Sequence, residues 1–477
     1  MVLLRDVLEH ALNLCNAVTV VYFFLGNGIY TLLMAISLAS AVAYNRRIAY
    51  QPARDRRSPG AEPPLTVLIP AFNEEASIVE TVHSALRANY PDLSVVVVDD
   101  GSSDRTLERL SAEFKLSRLD LIYRPVLPTQ PVETFYVNPD SPRLVVLGKR
   151  HGGKSDALNA GINFARSPYF CTLDADSLLE PDALARLMRP VVYSAGVIVA
   201  SGGIIRIRNG CRTRRGQVEH VRLPQSWTER FQVVEYLRSF LFGRAGWGMM
   251  EGTLIVSGAM AVFHRETVVA AGGFDGHTVA EDMELIVRLH RWSRQNGRAA
   301  KMRFTLDTVC WTECPNSLAM LARQRRRWQL GLCQVLWLNS AMLFNPRYGV
   351  VGMLSFPFHA SVEGLGAAVE MIGYFAVLLA FAFHLALSSF YLSLVILSLV
   401  YASFLSVGAV LLEEITYRRY PAKRDLYVLL AGAALENFGY RQLVVYWRFQ
   451  GFLRFLIGRS EWEPVARAAE AGAEAKT

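Results

Sequence analysis

Charge is scarce in this chain. Asp, Glu, Lys and Arg make up 19% of 477 residues, while hydrophobic types make up 52%. Soluble domains carry about a quarter charged residues, so an ordinary soluble enzyme of this size is excluded, and the mean hydropathy of +0.22 agrees. Cysteine is sparse as well: Cys15, Cys171, Cys211, Cys310, Cys314 and Cys333 are scattered, and none forms a Cys-x-x-Cys pair. That leaves no zinc spacing and fits a reducing compartment. The Gly-x4-Gly-Lys-Ser/Thr spacing of a P-loop is missing, which argues against an ATPase, and no internal repeat is evident. Acidic residues are in deficit, 42 against 50 basic, for a net charge of +8 and a pI near 9.2. Many of the arginines flank apolar runs, as anionic lipid headgroups and the positive-inside rule require. The expected partner is therefore a lipid bilayer and not nucleic acid.

The apolar residues that are present lie in blocks. Residues 17–44 carry no formal charge and are followed, over 45–57, by five arginines. This predicts a retained membrane span with a cytoplasmic flank and residue 1 outside; a cleaved signal peptide would be shorter and preceded by basic residues. A proline-rich linker, 58–64, introduces a polar part. Past residue 323 the composition turns apolar again: 349–387 is interrupted only by His359, Glu363, Glu370 and His384, and 390–412 is uncharged. Ser388 and Ser389 between them predict a helical hairpin, with a basic far end over 413–425. Residues 425–456 contain Glu436, Arg441 and Arg448, which favours a helix lying at the interface over a third span.

From 65 to about 311 short β-rich runs (65–69, 94–98, 144–147, 169–173 and 197–200) alternate with helical stretches, the pattern of an α/β domain whose sheet is largely parallel and covered on both faces. Ligands in such sheets sit beyond the carboxyl ends of the strands. The run 169–177 ends in Asp174 and Asp176, spaced to share one hard divalent cation; the competing reading is a capping pair opening a helix over 178–187. Two earlier strands end in Asn73-Glu74 and Asp99-Asp100, groups that can hydrogen-bond a base or ribose, or simply cap the helices that follow. The loop 148–159 places Lys154 and His151 among three glycines, where a lysine can meet a diphosphate. Ser257 and Gly258 read as the end of another strand. Glu281 and Asp282 are adjacent on a helix and cannot share a face, so one can act as a base and the other as a cap. Gln324, Arg327 and Trp328 fall at i, i+3 and i+4 and share one face.

In this order the motifs resemble the membrane-integrated family 2 glycosyltransferases, the processive synthases of cellulose, hyaluronan and poly-N-acetylglucosamine. The resemblance runs from Pro70 to Trp328 and implies a GT-A-like nucleotide-sugar-binding fold with transmembrane and interfacial helices. It implies that Asn73, Glu74, Asp99 and Asp100 bind the nucleoside and that Lys154 lies by the diphosphate. Ser257 and Gly258, with the Gln324, Arg327 and Trp328 of a Gln-x-x-Arg-Trp motif, join the substrate site. Asp174 and Asp176 become ligands of Mg²⁺ or Mn²⁺, and Asp282 the catalytic base. The usual Thr-Glu-Asp reads Ala280-Glu281-Asp282 here, and Arg459 to Glu463 only loosely matches a gating loop. About fifteen residues follow that loop, too few for a cyclic-dinucleotide-binding barrel.

The expected organisation is a membrane segment with basic flank (1–57), a cytoplasmic catalytic domain (58–315), interfacial helices (316–345), membrane and interfacial helices (346–456) and a tail (457–477). The implied activity is inverting, metal-dependent transfer from a UDP-sugar (UDP-GlcNAc or UDP-glucose type) to a growing exopolysaccharide, exported through the enzyme's own helices in a bacterial-type inner membrane. Accessory export proteins or a second copy of the chain are further expected partners. The alternative is a non-processive transferase acting on a lipid carrier.

Overall fold

A computed structural model describes residues 2–50, 62–121, 125–194, 196–298, 300–383 and 388–458. The loop expected at Arg459 to Glu463 lies outside them. The strands are β1 Leu65–Ala71, β2 Leu93–Asp99, β3 Ser117–Leu119, β4 Val132–Asn138, β5 Ser141–Lys149, β6 Tyr169–Leu173, β7 Leu178–Leu179, β8 Ile198–Ile207, β9 Arg212–Arg214, β10 Gln217–His220, β11 Met260–His264 and β12 Lys301–Thr312. β9 and β10 form a hairpin; the others build one sheet in the order β3-β4-β5-β2-β1-β6-β11-β8-β12-β7. The centre is mostly parallel: β5, β2, β1 and β6 pair in parallel, as do β8 and β12, whereas β11 is antiparallel to both its neighbours.

The apolar runs explain this arrangement. In β1 the side chains alternate between two cores, Val67 and Ile69 entering one and Leu68 the other, as the two-residue period of a strand requires. Each fully buried Val, Leu or Ile contributes about 1.5–3 kcal/mol, so a strand buried on both faces reads as a nearly unbroken apolar run. The helix Lys154–Phe164 packs on the Leu68 face through Gly161, where a Cβ would come within 3.1 Å of Leu68 Cδ2. The opposite core continues through Phe240, Leu241 and Phe242 to Ala409, Val410 and Leu412 of the helix Ser388–Thr416. Sheet and membrane helices thus share one core. A buried bidentate ion pair joins them too: Arg206 of β8 donates to Glu413 through Nη1 at 2.8 Å and Nη2 at 2.7 Å.

Among the described residues three helical stretches, Leu12–Ala43, Val351–Ala382 and Val395–Thr416, are long and apolar enough to cross a membrane, and they overlap the three apolar runs of the sequence. Residues 384–387, between the last two, lie outside the described residues. Three readings are corrected. Residues 178–187 do not form one helix: Leu178 and Leu179 pair with Trp311 and Cys310, and the helix begins at Ala183. Residues 425–456 are two helices, Lys423–Leu435 and Tyr440–Leu456, broken where Gly439 takes φ 89°. Ser257 and Gly258 precede a strand and do not end one. Because β11 is antiparallel to β6, with Met260 opposite Leu173, its start lies at the edge where β6 finishes, so both residues still reach the ligand side.

Candidate active site

Parallel register aligns the ends of the strands. Ala71 lies opposite Asp99, and Asp99 opposite Gly148, so the loops after β1, β2, β5 and β6 emerge along one edge. There the Asp174 N–H donates to the Ala259 carbonyl at 3.0 Å, and Ser177 N–H returns to the Asp174 carbonyl at 3.0 Å. This turn presents Asp174 and Asp176 together. Asp174 Oδ1 meets Lys154 Nζ at 2.7 Å, and the same ammonium reaches Glu281 Oε1 at 3.0 Å. Burial opposes the Lys154 charge, but Asp174 and Glu281 outweigh it and hold its pKa above the ordinary lysine value. Asp176 Oδ1 accepts from Ser177 Oγ and Thr312 Oγ1, each at 3.1 Å. Burial, then the neighbouring charges of Asp174 and Glu313, push its carboxyl up to about 6.

These groups fit a hard cation. Two convergent carboxylates whose charges repel are relieved by a divalent ion, and Mg²⁺ takes one or two carboxylates and completes its shell with phosphate and water. No group of three or more potential ligands occurs among the described residues. Asp174 and Asp176 are the residues that would hold the ion.

The proposed nucleoside residues brace the edge. Asn73, in the left-handed region at φ 57°, donates its N–H to Ser102 Oγ at 3.0 Å and accepts from Ser103 N–H on Oδ1 at 2.8 Å. Glu74 Oε2 accepts from Ser77 Oγ at 2.9 Å. Asp100 is buried and accepts from Gly152 N–H at 3.0 Å and Gly153 N–H at 2.7 Å, beside Lys149 and His151. It therefore shapes the glycine loop, and the His151 ring sits 4.3 Å from that of Phe72. Asn73, Glu74 and Asp100 still line the cleft, but Asp99 does not: its carboxylate is buried, which raises its pKa, and accepts from Ser102 N–H at 3.3 Å.

On the far side of Lys154, the helix Glu281–Gln295 starts with the two acids diverging. Glu281 turns to Lys154; Asp282 turns to Gly258, where an added Cβ would meet Asp282 Oδ2 at 3.1 Å. Burial and the charge of Glu281 raise the pKa of Asp282, while Lys154 keeps Glu281 ionised against its own burial. The helix Leu318–Leu338, capped by Ser317 accepting from Met320 N–H, brings Gln324, Arg327 and Trp328 to the same cleft. Trp328 is 44% exposed, and Arg325 lies 4.4 Å over its ring while pairing with Glu235 at 2.8 Å. The cleft continues between the membrane helices as one cavity of about 2540 Å³. Sequence reasoning missed Thr312, whose contact with Asp176 depends on pairing of distant strands, and Arg244, which no motif marks.

An acidic cleft at the carboxyl edge of this α/β sheet, with a Gln-x-x-Arg-Trp helix beside it and membrane helices continuing it, is the architecture of a membrane-attached glycosyltransferase with a GT-A-like fold. Residues 66–266 match the family described as Glycosyl transferase family 2, and residues 169–412, about half of the chain, match Glycosyl transferase family group 2. The chain belongs to the family 2 glycosyltransferases. It is 25% identical over 272 residues to a poly-β-1,6-N-acetyl-D-glucosamine synthase of Staphylococcus aureus (strain COL), covering 57% of this chain and 55% of the relative. The enzyme of the same name from Staphylococcus epidermidis is 24% identical over the same shares. The chain thus spans about half the length of the curated relatives it matches. Among solved structures, mannosyltransferase PcManGT from Pyrobaculum calidifontis, in complex with GDP-Man and Mn²⁺, covers 91% of this chain and 99% of its own at 18% identity and a TM-score of 0.48.

Proposed function

We propose that this protein is an inverting, metal-dependent synthase that transfers a sugar from a UDP-sugar to a growing exopolysaccharide and passes the polymer between its own membrane helices. The single observation that carries this reading is the continuity of the cavity, which is lined both by Asp174, Lys154 and Asp282 and by Tyr22, Glu370, Tyr374 and Val395 of the membrane helices. Polar groups such as Glu370 within a span favour a water-filled path over a lipid-facing surface. The relatedness to poly-N-acetylglucosamine synthases supports a UDP-GlcNAc or similar donor.

In this mechanism the acceptor hydroxyl oxygen bonds to the anomeric carbon as the bond from that carbon to the diphosphate breaks. The proton goes to Asp282, whose raised pKa suits it as a base. Lys154 would offset the charge that develops on the leaving group, and Arg327 would add a second cation. Asp174 and Asp176 would hold a Mg²⁺ or Mn²⁺, which would supply Lewis-acid stabilisation of the leaving diphosphate. Trp328 gives the acceptor ring an apolar face. The Arg-rich stretches after the first span and at 418–424 favour a cytoplasmic catalytic domain in a plasma membrane.

The test uses protein in sealed proteoliposomes with the active site outward, labelled nucleotide sugars and Mn²⁺. The expected product is a long chain protected from added glycosidase inside the vesicle. A one-sugar lipid product would replace this reading with the lipid-carrier alternative.

A further inference from the structure

Three helices from distant parts of the chain meet at one turn of the second span. That span is not a regular helix: His359–Gly364 form a π-helical turn, a rare distortion that concentrates at functional sites. The first span holds the turn through two tyrosines, Tyr30 donating its hydroxyl to Glu363 Oε1 and Tyr22 donating to the Val362 carbonyl at 3.1 Å. Two further side chains reach it, Gln329 of the helix that carries Trp328 and Arg448 of the helix Tyr440–Leu456. Gln329 Nε2 donates to the carbonyl of Glu363 at 3.2 Å and to that of Gly364 at 2.9 Å. Arg448 Nη2 donates to the same Glu363 carbonyl at 2.8 Å and to its carboxylate at 3.0 Å, and Arg448 Nε donates to Gln329 Oε1 at 2.8 Å.

Both ends of the Gln329 amide are used in this junction. The residue is 2% exposed, and a buried amide is tolerated only where its partners are fixed in place. Those partners belong to the second span and to a third helix, so the amide sets how both sit relative to Trp328, the residue before it. Packing there is close: a Cβ added to Gly451 would come within 2.5 Å of the Arg326 carbonyl oxygen and 2.9 Å of Gln329 Cβ. Trp328, Gln329, Glu363 and Arg448 all line the cavity, so the junction joins the wall beside the catalytic groups to the wall formed by the spans. A polymer needs those two walls in register, since its terminal sugar lies at Trp328 while the units behind it lie between the spans, and a misplacement of about 1 Å can cost about 10²-fold in rate.

We propose that Gln329 is a positioning residue: held by Arg448 and by the Glu363 and Gly364 carbonyls, it keeps the Trp328 helix in register with the second span, so that a growing chain stays bound from one transfer to the next. The proposal rests on the polymer-synthase reading above. Gln329 acts through Trp328 and not on the reacting atoms, so removing its amide should spare single transfers and shorten the product. Arg448→Lys breaks the same junction from the other end, because an ammonium keeps the charge beside Glu363 but lacks the planar fork that also reaches Gln329.

The experiment compares wild type, Gln329→Met and Arg448→Lys as full chains in nanodiscs, with Mn²⁺, UDP-GlcNAc and a short N-acetylglucosamine oligosaccharide as acceptor. Two pairs of quantities are read: mean product length against initial UDP release, and hydrogen exchange of the His359–Gly364 amides against those of β1. The hydrogen bonds lost at the junction should shorten the product at least about tenfold, while initial UDP release stays within about twofold of wild type. Exchange at His359–Gly364 should quicken, and β1 should stay protected. Full-length product from both variants overturns the proposal. So does a loss in which length, release and β1 protection fall together, because that is a general defect of folding. A wild type that adds one sugar or none sinks the polymer reading by itself. Exchange needs no substrate and then decides the junction: faster exchange at His359–Gly364 in the variants supports it, and unchanged exchange overturns it.

Discussion

The carboxyl of Asp176 should make the empty protein less stable as pH rises, and its amide replacement should remove that loss. Its pKa of about 6 in the folded protein lies above the ordinary 3.8, so between roughly pH 4 and 6 the folded state holds a proton that the unfolded chain has released. Stability therefore falls as pH rises through that window and stays low above it. At 1.36 kcal/mol per tenfold difference in proton affinity the gap is worth about 3 kcal/mol, and partial exposure of the side chain to the cavity trims this to about 2 kcal/mol. Asp176→Asn keeps an oxygen to accept from Ser177 and Thr312 and removes the repulsion with Asp174. In chelator, the variant should unfold about 2 kcal/mol later than the wild type at pH 7.5, and no later at pH 4. The assay is denaturant unfolding in nanodiscs followed by tryptophan fluorescence, with Mn²⁺ added in a parallel series. Mn²⁺ should stabilise the wild type and leave the variant unmoved. An Asp176→Asn protein that is less stable at pH 7.5, or equally stabilised by Mn²⁺, refutes both the electrostatic account and the metal assignment.

Asp282→Asn should cut nucleoside-diphosphate release by at least about 10²-fold, the lower range of general-base catalysis, with donor binding retained. Near-normal release would take the proton transfer away from this residue. Glu281→Gln should instead weaken donor binding, since it loosens the Lys154 ammonium held at 3.0 Å; a titration of UDP affinity distinguishes the two. Glu413→Gln strips the partner from buried Arg206 and should cost about 3–5 kcal/mol, read as a lowered unfolding midpoint, whereas an unchanged midpoint would mean the pair does not tie sheet to membrane helix. A cysteine at Ser102 should resist impermeant reagents on intact cells, and ready labelling would reverse the topology.

Much of this protein was legible in the order of its residues. The short, nearly unbroken apolar runs set which stretches become strands buried on both faces, as Leu65–Ala71 is. Long uncharged stretches set the membrane helices, since backbone without water must bond internally. The acids that end β1, β2 and β6 follow from the same logic, because parallel strands leave their carboxyl ends together. What needed the folded chain was contact between residues far apart in sequence. The antiparallel insertion of β11 put Ser257 and Gly258 at the start of a strand, and antiparallel pairing of β12 with β7, Trp311 opposite Leu178, brought Thr312 to Asp176. Helical spacing placed Glu281 and Asp282 on different sides, but only packing showed that Lys154 takes the first. Nor does any local pattern distinguish Arg244 from the arginines around it. Its place in the cavity wall is decided by tertiary geometry, not by composition or period.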